Sequence, residues 1–374
     1  MSGLGSIGHR LYAGEVSFDF IGRRRTWYVV SAIILLVSVG ALMFRGLNLG
    51  IEFRGGADYT LPAATCTVEE ARGVAETATG AQAIVTETAS GTIRVQTEAI
   101  PPAESLILAG DLADACGIPA SEVKVQVVGP TWGAEFSKKA LQGLVVFLLL
   151  VSLFLSIYFE WRMAVAALVA LAHDLVITIG IYALTGLEVT PATVIGLLTI
   201  LGYSLYDTVV VFDKVKENTR GIAGQSVMTY SEAANLAVNQ TLVRSINTSI
   251  VALLPVFAII VVGAGFLGAG TLLDLAVALF IGMAAGTYSS IFIATPFLAQ
   301  LKEGQPEMKS LAGRVAARRK QARNAPAATA GDSGDSAAEP AGVGNASPVT
   351  SLTRTDSSTR QQPKRQTRSR RGKG

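Results

Sequence analysis

Leu141-Gln-Gly-Leu-Val-Val-Phe-Leu-Leu-Leu-Val-Ser-Leu-Phe-Leu-Ser-Ile-Tyr158 carries no charged residue. As a helix, this stretch would rise about 27 Å, close to the ~30 Å hydrocarbon core of a bilayer. Five further runs are apolar over comparable lengths: Trp27–Phe44, Met163–Leu184, Pro191–Phe212, Ile246–Val262 and Leu272–Leu298. Together they account for a chain of 374 residues that is 50% hydrophobic and only 16% charged, where a soluble domain averages about 25% charged residues. The first run begins late, has full spanning length and is followed by Phe44-Arg45-Gly46 rather than a small-residue cleavage site, so it reads as an anchor and not a leader. The sequence therefore predicts a polytopic α-helical membrane protein with six transmembrane helices.

Orientation follows from Lys and Arg near the span ends. Arg23, Arg24 and Arg25 precede span one, and Arg162 lies between spans two and three. Lys214, Lys216, Arg220 and Arg244 flank the connection between spans four and five, and the chain after residue 300 is strongly basic. An even number of spans puts all of these on one side, giving cytosolic N- and C-termini at a cytoplasmic membrane. The predicted divisions are a cytosolic N-terminus (1–26), span one (27–44), an extracytoplasmic head (45–138), spans two to six (139–300) and a disordered basic cytosolic tail (301–374). The end of that tail, Lys364–Lys373, would lie near anionic lipid headgroups, a reading favoured over any specific nucleic acid.

Within the head, residues 51–128 read as βαββαβ, a ferredoxin-like α+β unit. Ile51–Leu61 is strand-like, interrupted by Gly55-Gly56. Thr67-Val-Glu-Glu70 is a capping box opening a helix that stops at Gly80. Ala83–Thr88 and Thr92–Thr97 suit a hairpin turning at Ser90-Gly91, Pro102–Ala115 a second helix, and Glu122–Val128 the last strand. The linker Gly129-Pro-Thr-Trp-Gly133 suits a hinge. Cys66 and Cys116 both fall on the outer side, where a disulfide is permitted and two unpaired thiols are equally compatible. Two cysteines and two histidines leave no composition for a thiolate or histidine-rich metal centre, and no cofactor is expected.

Polar residues inside spans carry function by default, since a carboxylate at the bilayer centre costs about 2.5–3.5 kcal/mol on insertion scales. Asp174, preceded by His173, lies near the middle of span three. In span four, Thr199, Tyr203 and Asp207 recur at i, i+4 and form one polar stripe, beside Ser204 and Thr208. Span five opens with Arg244 and continues through Thr248 and Ser249; Arg244 either snorkels to the headgroups or serves as a counter-ion near Asp207. Gly282, Gly286 and Ser290 step down span six in a small-residue pattern suited to close helix contact. A His173–Ser204 nucleophilic dyad lacks any oxyanion pattern, and Tyr206-Asp207 lacks the second carboxylate motif of an intramembrane aspartyl protease. No enzymatic activity is expected.

Several short motifs, in order and each at a span boundary, give the chain a resemblance to the SecF family, the smaller membrane subunits of the bacterial SecDF export complex in the RND-like superfamily. They are Leu49-Gly50-Ile-Glu52-Phe53-Arg-Gly55-Gly56, Phe159-Glu-Trp-Arg162, Ala172-His-Asp174 and Gly202-Tyr-Ser-x-x-Asp207, followed by Thr241-Leu-x-Arg-Ser245 and Gly286-Thr-Tyr-Ser-Ser290. Two positions depart from the family pattern: Glu52 replaces the usual Asp, and Tyr206 replaces the usual Asn. The resemblance implies half of an RND-like pseudo-symmetric bundle completed by a SecD-like subunit. It further implies work beside the SecYEG translocon, with YajC as a further candidate partner, on unfolded preproteins and driven by protons moving down the proton-motive force. In that reading Asp207, Asp174 and Arg244 form the proton relay. The alternative is a half-size RND-type proton-coupled exporter of lipids or small molecules, which would require an apolar pocket in the head.

Overall fold

The computed structural model describes residues 17–62, 65–87, 91–263 and 271–324. Among these, six helical segments are long and apolar enough to cross a membrane. They are α1 (Arg24–Arg45), α5 (Pro130–Tyr158), α6 (Trp161–Thr185), α7 (Pro191–Asn218), α8 (Tyr230–Val262) and the composite of α9 (Thr271–Ser289) and α10 (Thr295–Glu303), joined by a π-helical turn at Ser290–Ala294. The bundle core is built from small and branched residues, with Ala166, Ala170, Ala234 and Ala237 almost fully buried beside Leu155, Phe212 and Leu298. Such residues let helices approach where lipid removes the hydrophobic drive for association.

The glycine pattern of span six is spent inside the chain. A side chain at Gly282 would strike Ile200, one at Gly286 would meet Ser204 at 2.8 Å, and one at Gly196 would meet Ala278 at 2.9 Å. These three contacts form a continuous seam between α7 and α9. A second close approach joins α1 to α6, where Gly180 faces Ser38.

The head lies between α1 and α5. Its strands are β2 (Gly56–Leu61), β3 (Ile84–Glu87), β4 (Ile93–Thr97) and β5 (Lys124–Val128), in the antiparallel order β3-β4-β2-β5. Helices α3 (Val68–Thr79) and α4 (Pro102–Ala115) pack on the sheet over Tyr59, Leu61, Ile93, Leu108 and Leu112. The Thr67–Glu70 capping box is present and Gly80 closes α3 in the left-handed region. Cys66 and Cys116 are disulfide-bonded, and this bond ties the start of α3 to the end of α4.

Three expectations are corrected. Ile51–Arg54 forms a one-turn helix, α2, rather than part of the first strand. Gly55 at φ +79° and Gly56 at φ +150° turn the chain out of it, and a side chain at Gly56 would strike the Thr97 carbonyl. Secondly, Gly129–Gly133 is no hinge: α5 is helical from Pro130, and a Cβ at Gly133 would lie 2.6 Å from the carbonyl oxygen of Phe53. Across this junction Phe136 meets Phe53 edge to face and stacks on Trp132. Thirdly, the chain beyond residue 301 is not disordered throughout, because α11 spans Pro306–Asn324. Met308, Leu311 and Val315 share one face and are buried, Arg314 donates to the Ala223 carbonyl, and Arg319 pairs with Glu232 at 2.7 Å. The expectations for Ser90 and for Lys364–Lys373 lie outside the described residues.

Candidate functional site: two carboxylates in the bundle

Asp174 and Asp207 are 1% and 5% exposed, each held by hydroxyl groups from neighbouring spans. Asp207, on α7, accepts through Oδ1 from Ser245 of α8 (2.7 Å) and through Oδ2 from Ser290 in the π turn (2.5 Å). Asp174, on α6, accepts through Oδ2 from Ser204 of α7 (2.5 Å) and Ser289 at the end of α9 (2.8 Å). Its Oδ1 lies 3.1 Å from His173 Nδ1.

Local geometry explains why four spans converge here. Ser204 and Asp207 are three residues apart, on one face of α7. Gly286 lets α7 approach span six so closely that consecutive serines, Ser289 and Ser290, reach different carboxylates. The π turn begins at Ser290, and such turns concentrate at functional positions. One step towards the head side, Tyr203 and Thr287 both donate to Ser249 Oγ, at 3.2 and 2.8 Å.

A serine hydroxyl can donate to a carboxylate and accept from a carboxylic acid. The serine hydroxyls around both aspartates can thus act as donors or as acceptors towards them.

The structure brings together Asp174, Asp207, His173, Ser204 and Ser290, and places Tyr203 and Ser249 one turn away. It does not bring Arg244 to Asp207. Arg244 is exposed and its guanidinium donates to the Tyr206 hydroxyl at 3.3 Å. The reason is helical: Ser245 takes the inward position, and its neighbour is turned ~100° away. Thr208 is buried and Thr248 half-buried, both outside these bonds. Ser245 and Ser289 were missed as site residues. Thr241, Ser245 and Ser249 recur at i, i+4 in an apolar span, and that polar stripe is the signal that marks Ser245.

The head-base motif builds a second polar cluster. Arg94 of β4 pairs with Asp58 of β2 and with Glu188, both at 2.5 Å, and Gln96 donates to Glu188 at 2.8 Å. Glu188 belongs to β6 (Glu188–Val189), which pairs in parallel with β1 (Asn48–Leu49), and Gly50 N–H donates to the Val189 carbonyl at 3.0 Å. Gly50 separates the Glu52 and Glu188 carboxylates, and any side chain there would meet both within 3 Å. Burial pushes the Glu52 carboxyl above its usual range, and Glu188 adds to the shift. Burial also pushes Asp58 up, against the downward pull of Arg94. Burial alone would lower the Arg94 value, but Asp58 and Glu188 outweigh it and hold the guanidinium above its ordinary range.

A six-span bundle with a ferredoxin-like head and paired intramembrane carboxylates defines the class, and comparison with known proteins assigns it. Residues 111–304 match the family described as "Protein export membrane protein SecD/SecF, C-terminal", and residues 40–65 match the "SecD/SecF GG Motif". The chain is 51% identical over 340 residues to protein translocase subunit SecF of Streptomyces coelicolor, covering 91% of this chain and 90% of that one. It is 43% identical to the Mycobacterium tuberculosis (strain H37Rv) SecF subunit, covering 89% and 77%. The crystal structure of SecDF from Thermus thermophilus aligns with a TM-score of 0.67 and 33% identity, covering 77% of this chain but only 39% of that one. The chain belongs to the SecD/SecF family of protein-export membrane proteins, on the SecF side.

Proposed function

We propose that this chain pairs with a SecD-like subunit in the cytoplasmic membrane and uses the proton-motive force to promote translocation of unfolded preproteins. Its fused relative in Thermus thermophilus is named SecDF, and this chain spans about two fifths of it, so a SecD-like half is the natural complement. Both termini lie in the cytosol in this reading, following the positions of Lys and Arg, and the head projects outward.

The observation that carries the proposal is Asp207 held between Ser245 and Ser290, hydroxyls from two other spans that serve both of its protonation states. A proton crossing the membrane is worth ~2.3 kcal/mol per 100 mV, enough to bias a bundle between two packings. Asp207 is the proton carrier and Asp174 its neighbour in the relay. Arg244 acts from the exposed face beside Tyr206, a charge that a SecD-like bundle would cover. SecYEG and YajC remain partners by family resemblance, and the head is the part that meets emerging preprotein.

The test is Asp207→Asn, reconstituted with the SecD-like subunit and the translocon in inverted membrane vesicles. Gradient-stimulated export is expected to disappear while ATP-driven initiation persists. Full gradient stimulation at normal abundance would leave Asp207 a structural residue and end the relay reading.

A further inference from the structure

A crevice of about 540 Å³ opens on the flank of the bundle between α1, α6 and span six. Its walls are apolar, with Leu35, Val169, Val176 and Phe297 among them. Two polar side chains nevertheless line it with buried atoms that have no hydrogen-bond partner among the described residues: His173 Nε2 and the Tyr28 hydroxyl. The His173 side chain is only 5% exposed. An unmade hydrogen bond at a buried polar group costs about 1–3 kcal/mol, so these atoms call for a partner that the protein does not supply.

The crevice runs along one half of the membrane. Tyr28 lies four residues inside the head-distal end of α1, and Gln300 three residues inside that of α10. The Arg24–Glu303 ion pair, 2.7 Å, stands just beyond them. His173 is twelve residues into α6 from the same side, about 18 Å deep. The other nitrogen of the imidazole, Nδ1, is the one that touches Asp174 Oδ1. The ring thus lies between the crevice and the buried network. It stacks on Tyr288, whose hydroxyl is satisfied by Ser31 at 3.0 Å.

We propose that His173 is the port through which the buried network exchanges protons with water entering this crevice from the head-distal side. The proposal rests on the relay reading above. A proton arriving on Asp174 passes from Oδ1 to Nδ1, and the imidazolium releases the Nε2 proton to water. Rotation of the ring, bringing Nδ1 to the crevice, lets the two tautomers re-equilibrate. Both steps need a group with two nitrogens that can each bind or release a proton, and the imidazole ring has one on each side. The charged and titratable groups around it are Asp174 on its own helix, Tyr28 of α1 and Tyr288 of α9, with Arg24 and Glu303 at the mouth. Water is the occupant because Tyr28, His173 and Gln300 offer the several polar partners that a buried water needs. An acyl chain filling the same space would leave both unpartnered atoms unpaired.

Two measurements test this. Val176→Cys places a thiol in the crevice wall of a chain whose two native cysteines are bonded to each other. A membrane-impermeant thiol reagent applied to inverted vesicles should label it several-fold faster than Leu153→Cys on the exposed face of α5. Labelling no faster than that control means a dry or lipid-filled crevice and overturns the proposal. His173→Asn keeps an amide towards Asp174 but cannot titrate. Gradient-stimulated export should fall several-fold, and its pH profile should differ from that of the wild type. A wild-type gradient response and pH profile in His173→Asn, with Asp207→Asn defective, would reject the port and keep the relay. If both variants respond normally, the relay reading itself falls, whatever the labelling shows.

Discussion

Arg94→Ala removes the cation that, among the described residues, ties the head to the bundle through Glu188. Asp58 and Glu188 keep only 7% and 15% of their side chains exposed, so both would be left nearly buried without their partner. Stranding a buried charge costs about 3–5 kcal/mol, and the 28% exposure of Arg94 itself puts the expected loss near the low end, about 3 kcal/mol. The docking bond that reports it is Gly50 N–H to the Val189 carbonyl. A loss of about 3 kcal/mol should speed hydrogen exchange there by roughly a hundredfold, at 1.4 kcal/mol per factor of ten. The pH dependence has a defined sign. Burial holds Glu52 and Asp58 above the usual carboxylate range. Their contribution is fully present below the unfolded carboxylate value and is lost as pH rises through the folded one. Arg94 pulls both values down, so removing it moves this loss further up the pH scale. The Arg94→Ala deficit should therefore widen from about pH 5 to about pH 8. Unchanged Gly50 exchange at pH 8, or a deficit that grows on acidification, would refute the reasoning.

Gly133→Ala should lower thermal stability by about 1–3 kcal/mol, since the new methyl meets the Phe53 carbonyl, which cannot rotate away; a neutral effect in a detergent melting curve would mean that α2 and α5 separate freely. Gly286→Val should impair gradient-driven export more than abundance, because it forces α7 from span six where Ser204 and Ser289 reach Asp174; Western blotting beside an export assay separates the two. Leu311→Ala should release α11 by about 2–5 kcal/mol, seen as protease cleavage near Arg314, whereas Arg319→Ala, which removes only a surface ion pair, should leave the cleavage pattern unchanged. Reducing Cys66–Cys116 should loosen the α3–α4 side of the head and leave α5 to α10 protected from exchange.

The chain's own patterning determined which residues enter the membrane and how the head is wired. A span is set by ~20 consecutive apolar residues, a local property, and so were the capping box at Thr67–Glu70 and the element order βαββαβ along the head. Asp174 and Asp207 were legible for a similar reason, since a carboxylate in an apolar span stands out without any knowledge of its neighbours, whereas Ser290 read only as a small packing residue. Partners were another matter. Arg244 was a plausible counter-ion by composition, but one position of helical rotation gives the inward place to Ser245 and sends the guanidinium outward to Tyr206. The Gly282–Gly286 pattern announced close packing, yet only the fold showed that α7, within the same chain, fills it. Likewise the Gly129–Gly133 stretch carries the composition of a hinge, and packing against Phe53 makes it the first turn of a long helix. The Arg94–Glu188 contact joins residues 94 positions apart, and no local signal predicts it. Local physics fixes what each segment can be; which face meets which neighbour depends on the sum of distant contacts, and that sum exists only once the chain has folded.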